Sequence, residues 1–127
     1  MPTLLDRTFA QTFAEDWIES WNSHDLERIL AHYTDDFEMS SPLIALRMGE
    51  PSGTLRGKAR VRPYWQRGLE ANPDLRFELD FVAVGVSSLS IVYRNQASVR
   101  VVEVLFFDDD RRVIRGLAQY GQGSPSG

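Results

Sequence analysis

The sequence predicts an α+β domain with its helices packed on one face of an antiparallel sheet. Two observations carry this reading. Apolar residues recur at helical spacing through the first part of the chain, and from Leu75 onward the period changes to two. A third observation bounds it. With 127 residues, no internal repeat and no second domain, the chain reads as a single domain over residues 1–120, large enough for one hydrophobic core.

The first helix is predicted from about Thr8 to Trp21. Phe9, Phe13, Trp17 and Trp21 recur every four residues beside Ala10, Ala14 and Ile18, while Gln11, Glu15 and Glu19 lie off that stripe. Asn22-Ser23-His24 breaks the helix, and the Asp25 carboxylate can cap a second one in which Leu26, Ile29, Leu30 and Tyr33 keep helical spacing. Asp35-Asp36 reads as a turn, and Phe37 to Ser41, closed by Pro42, as a short strand. Residues 43–57 hold Pro51, Gly49, Gly53 and Gly57 and read as a loop, with a short strand around Thr54.

A third helix follows Gly57 with Val61, Tyr64, Trp65 and Leu69 on one face. Pro63 deep in that helix would cost ~3 kcal/mol, so a kink or a late start is expected. Asn72-Pro73-Asp74 ends it. Leu75, Phe77, Leu79, Phe81 and Ala83 then alternate with Arg76, Glu78, Asp80 and Val82, placing the first set on the buried face. Leu89 to Arg94, a hairpin at Asn95-Gln96, Ser98 to Phe107, a turn at Asp108 to Arg111 and Val113 to Tyr120 complete the sheet. Residues 121–127 read as a flexible tail.

Composition narrows the function. The net charge of −4 gives nucleic-acid binding no global electrostatic support. The absence of cysteine removes thiolate metal sites and cysteine nucleophiles. No run of about 18 apolar residues suits a membrane span, and the first residues do not read as a signal peptide, so the expected location is cytoplasmic.

The order α-α-β-α-β-β-β-β, with "WIESWNSHDLERILAHYTDDFEMSSP", "GTLRGKARVRPYW", "NPDLRFEL" and "VRVVEVLFFDDDRRVIRGLAQY", resembles the nuclear transport factor 2-like superfamily. Within it the chain is similar to the SnoaL-like polyketide cyclases and ketosteroid isomerases, from about Phe13 to Tyr120. The resemblance implies a cystatin-like α+β barrel: a curved sheet wrapped around a long helix, forming a cone with an apolar cavity. It also implies a homodimer.

Isomerases of this family place a carboxylate base just before the proline that ends the first strand, and that position is Ser41 here. An unassisted serine hydroxyl does not abstract a carbon-bound proton near neutral pH. The family's tyrosine oxyanion donor on the first helix corresponds to Trp17, which can donate a hydrogen bond but cannot relay a proton. Steroid-type isomerisation is therefore not expected. The family's acid on the long strand falls on Glu103, the candidate catalytic residue.

The residues themselves single out Glu103, because a carboxylate between Val101 and Leu105 on one strand face is costly to bury ionised. A turn at Asp108 to Arg111 would set it roughly opposite Gly116, with Ala118 on the same face, leaving open volume beside the acid. An edge glutamate facing solvent fits the same pattern. Trp17, Tyr33, Ser41, Tyr64, Trp65, Phe77, Phe81, Gly116 and Ala118 are the candidate ligand-binding set, though each aromatic also suits an ordinary core.

Arg94, Arg100 and Arg115 lie in the sheet, and parity turns Arg100 and Arg115 away from Glu103. The basic run Arg56, Lys58, Arg60, Arg62, Arg67 reads as a solvated face, and His24 and His32 lack metal-site spacing. No metal or cofactor is expected.

On the long strand Val102, Val104 and Phe106 form a second apolar face that no predicted helix covers, extended by Val113 and Leu117. A homodimer packed through that outer face is expected, with Arg100 and Arg115 nearer its rim. The expected function is that of a small-molecule enzyme or binding protein taking an apolar or aromatic ligand. A non-catalytic homodimeric binding or assembly module is the alternative.

Overall fold

The computed structural model describes residues 4–121, so the tail expected over residues 121–127 lies, apart from Gly121, outside the described residues. The long helix α1 (Arg7–Asn22) starts where the Asp6 carboxylate accepts a hydrogen bond from the Phe9 amide at 2.7 Å. Its stripe buries Ala10, Ala14, Trp17, Ile18 and Trp21. The second helix, α2 (Leu26–Leu30), is capped by Asp25, which accepts from the Arg28 amide. It is shorter than the sequence suggests. Tyr33 opens strand β1 (Tyr33–Ser40) instead of closing the helix, because the His32 carbonyl already accepts a hydrogen bond from Val113 of the last strand.

Asp35 and Asp36 are likewise not a turn. They lie within β1, exposed, where its register slips between Tyr33 and Glu38. The stretch read as loop contains helix α3 (Pro42–Met48), whose N-cap is Ser41: its hydroxyl accepts from the Leu43 amide at 3.1 Å. Proline at the first helical position and the left-handed Gly49 at the end (φ 64°) bracket this helix. The short strand β2 (Thr54–Arg56) follows.

Helix α4 (Lys58–Ala71) begins directly after Gly57, so Pro63 does not delay its start. Pro63 and Ala59 are both exposed, and the Ala59 carbonyl that loses its helical partner can turn to water. The remaining strands are β3 (Glu78–Val84), β4 (Ser88–Arg94), β5 (Arg100–Phe107) and β6 (Val113–Tyr120). All six strands form one sheet in the order β2-β1-β6-β5-β4-β3. The expectation of a wholly antiparallel sheet needs one correction, since β1 and β6 run parallel. The architecture is α+β, with α1 lying against β3 and the core between the helices and the inner sheet face.

Two irregularities decide which side chains face inward. On β3 the register with β4 slips between Leu79 and Phe81, and Asp80 at that bulge meets the Arg100 guanidinium at 3.1 Å. Beyond it, Val82 and Val84 pack against the core while Phe81 turns outward, 58 % exposed. Between Phe106 and Phe107 a second slip buries both Phe107 and its partner Val113. Val113 therefore belongs to the core and not to the outer patch.

Candidate active site

A cavity of about 630 Å³ opens between the inner sheet face and the helices. All three tryptophans of the chain (Trp17, Trp21, Trp65) and all four tyrosines (Tyr33, Tyr64, Tyr93, Tyr120) line it. Strand parity and helical spacing bring them together. Trp17 and Trp21 are one turn apart on α1, and Tyr64 and Trp65 face in from α4, while Tyr93 and Tyr120 stand at inward positions of β4 and β6. Phe77, just before β3, packs on Trp17 with ring centroids 6.0 Å apart and on Tyr93 at 4.3 Å.

Glu103 projects from β5 into this aromatic setting and is 7 % exposed. One carboxyl oxygen accepts a hydrogen bond from the Tyr93 hydroxyl at 3.3 Å, and the other, Oε2, is buried without a partner. Burial pushes the carboxyl up to about 8, with the Tyr93 hydrogen bond opposing the rise. At pH 7 the group is thus largely a neutral acid. Burial, and then the neighbouring Glu103 carboxyl, raise the phenols of Tyr33 and Tyr93, so both stay protonated.

The indole of Trp17 donates to the Tyr33 hydroxyl at 2.9 Å, which leaves the Tyr33 proton free for another acceptor. The indole N–H of Trp21 is buried and unpartnered among the described residues. Apolar aromatic walls, a neutral acid and unspent donors form a setting that can accommodate a ring system and can exchange a proton with it.

The structure groups Glu103, Trp17, Tyr33, Ser41, Tyr64, Trp65, Phe77 and Ala118 around this one cavity. Two residues of the expected set are elsewhere. Phe81 points outward because of the β3 bulge. Gly116 pairs with Leu105, whereas Glu103 pairs with Ala118. A Cβ on Gly116 would stand 3.1 Å from Leu105 Cδ2 and 3.4 Å from Met39 Sδ, so there is no open volume beside it. Tyr93, Tyr120, Trp21 and Arg47 also reach the cavity and were not singled out by sequence. Tyr120 was legible, since parity from Ala118 turns it inward, and so was Tyr93, set inward by the hairpin that pairs it with Val101. Arg47 had no signal in a stretch read as loop.

The other charged features are structural. His32 meets Asp16 at 2.7 Å and His24 meets the Leu75 carbonyl at 2.9 Å. Arg56 pairs with Glu38, Lys58 with Asp35, Arg60 with Glu50 and Arg62 with Glu27, so most of the basic run is occupied by carboxylates. Among the described residues no three His, Cys, Asp or Glu side chains gather to hold a metal, and no helix is long and apolar enough to cross a membrane.

A SnoaL-like domain family model matches residues 14–120. The crystal structure of a SnoaL-like protein of unknown function from Burkholderia thailandensis is similar over 94 % of this chain and 99 % of its own, at 48 % identity and TM-score 0.91. A cystatin-like-fold protein from Methylobium petroleophilum shares the fold at 17 % identity and TM-score 0.73, over 98 % of this chain and 83 % of its own. So does the epoxide hydrolase/cyclase-like enzyme SalBIII of polyether salinomycin, at 15 % identity and TM-score 0.70, over 92 % of this chain and 94 % of its own. No protein of curated function matches the sequence.

Proposed function

Since the chain belongs to the SnoaL-like domain family, we propose that it is a small-molecule proton-transfer enzyme, with an apolar or aromatic ligand in the cavity and Glu103 as its acid/base. The observation that carries this reading is the buried Glu103 carboxyl, held near neutrality beside an open, aromatic space with one oxygen unpartnered.

A carboxyl with a pKa of about 8 holds its proton at pH 7 and can lend it to a ligand oxygen. About one molecule in ten is ionised there, and that carboxylate is a stronger base than an ordinary one. It takes a proton from carbon beside a ligand carbonyl. The C–H pair becomes the new C=C bond, and the carbonyl π pair moves to oxygen, where the free protons of Tyr33 and Trp21 offer stabilisation. Glu103 then returns the proton to carbon, which gives isomerisation. Where the enolate carbon instead attacks a second carbonyl of the ligand, the new C–C bond closes a ring, that carbonyl's π pair moves to its oxygen, and Glu103 gives its proton to that oxygen, with no cofactor needed.

Deuterium exchange into a panel of aromatic ketones such as 2-acetylnaphthalene, followed by NMR in D2O, tests this. Exchange above the buffer rate, rising through Glu103 ionisation and abolished in Glu103→Gln, is expected. Exchange by the variant at the wild-type rate would refute the assignment.

A second reading has its own support. The family's base position is Ser41, whose hydroxyl is committed to capping α3. A chain that binds the panel but exchanges nothing would be a non-catalytic ligand-binding or assembly module. In either case we propose that two copies pair through the outer face of the sheet. Val102, Val104, Phe106 and Leu117 lie there half-buried in the single chain, and Arg100 pairs with Asp80 at the edge.

A further inference from the structure

The mouth of the cavity is chemically different from the buried wall that carries Glu103. It is built from α3, α4 and the end of β6, and there Arg47, Ser41, Tyr64 and Tyr120 come together. Arg47 sits exposed in the last turn of α3 and makes no ion pair among the described residues. By contrast, four cations of the nearby basic run are paired. Burial raises both phenols and the Glu103 carboxyl adds to the rise, while the Ser41 hydroxyl and the Arg47 guanidinium draw them back down. Two phenol donors beside a guanidinium suit a carboxylate, whose oxygens accept charge-assisted hydrogen bonds in the fork geometry arginine offers.

The rest of the cavity is compatible with an anion. Its other charged or chargeable residues are Asp74, exposed on the segment after α4, and Glu103, which is largely uncharged at pH 7 and does not repel. We propose that the mouth is a carboxylate seat, and that the ligand is an aromatic or polycyclic carboxylic acid. Its carboxylate is held by Arg47, Tyr64 and Tyr120, its rings lie against the tryptophans, and its far end reaches Glu103. This rests on the cavity being the ligand site and adds the class of compound that fills it.

Calorimetric titration at pH 7 with 2-naphthoate and with its neutral isostere 2-naphthamide separates the two ideas. The wild type is expected to bind the naphthoate at least about tenfold more tightly than the amide. Arg47→Gln should erase that preference by weakening the naphthoate far more than the amide. Because Arg47 is exposed, the variant should keep its fold, which an unchanged melting temperature verifies. Tyr64→Phe and Tyr120→Phe should each weaken the naphthoate several-fold and the amide less. Equal binding of the two probes, insensitive to Arg47→Gln, would overturn the carboxylate seat and leave the cavity reading standing. Binding of neither probe would overturn both.

Discussion

Glu103 makes the protein's stability depend on pH with a definite sign. Its carboxyl rises from an ordinary 4.5 to about 8 on folding. Between those values the folded chain keeps a proton that the unfolded chain has released, so stability is full below 4.5 and falls as pH rises through 8. A shift of that size corresponds to a loss on the order of 5 kcal/mol. Glu103→Gln removes this slope, at a cost of roughly 1–3 kcal/mol for its buried amide. Urea denaturation should therefore show the variant less stable than wild type at pH 5 and more stable at pH 9. Tyr93→Phe removes the one hydrogen bond that holds the Glu103 pKa down, so the midpoint of the wild-type slope should move to higher pH.

Among the elements, α3 and α4 carry opposite exceptions to helix rules. Ser41→Ala deletes the α3 cap and should cost about 1 kcal/mol while leaving any deuterium exchange at Glu103 intact. Pro63→Ala restores the hydrogen bond to the exposed Ala59 carbonyl and should stabilise α4 by about 1 kcal/mol, less than the full proline penalty because the unfolded chain regains entropy. Both are read by the denaturation midpoint. Helical and strand periods marked α1, α4 and β5 clearly, because each buries one continuous face. The single-residue slip at Asp80 was invisible to any pattern count, and it moves Phe81 from the ligand set to the outside. The seven-residue α3, held by its cap, proline and Gly49 more than by a long apolar stripe, was hidden among breakers. The parallel pairing of β1 with β6 has no local signature at all. The candidate site was legible where parity ran unbroken from Glu103 to Ala118 and was lost beyond the slips.

At the scale of the whole molecule, the proposed pairing of two copies rests on the outer sheet face. Val92, Val102, Val104, Phe106 and Leu117 form an apolar band to which the outward Phe81 adds, and the Arg115 guanidinium lies 5.4 Å from the Phe106 ring at one margin. Light scattering at micromolar concentration should report twice the 14.5 kDa of one chain. Val104→Asp, which sets a charge in the middle of the band, should yield monomer or aggregate. A wild-type mass of 14.5 kDa would exclude the pairing.

The seam between β1 and β6 also sets the timetable of the molecule's birth. The strand that begins near the start of the chain can find its parallel neighbour only after nearly all of the polypeptide has been made. On a ribosome, β1 can pair with β2 and pack on α4 early, but its other edge must wait while β3, β4 and β5 zip as successive hairpins, and Ala118 and Tyr120 reach the cavity last. Such distant pairing is slow to find, so refolding is expected to be slower than that of a helical bundle of this length. A nascent chain halted before Val113 would display a half-built sheet with an open edge, ready for a chaperone or for another such chain.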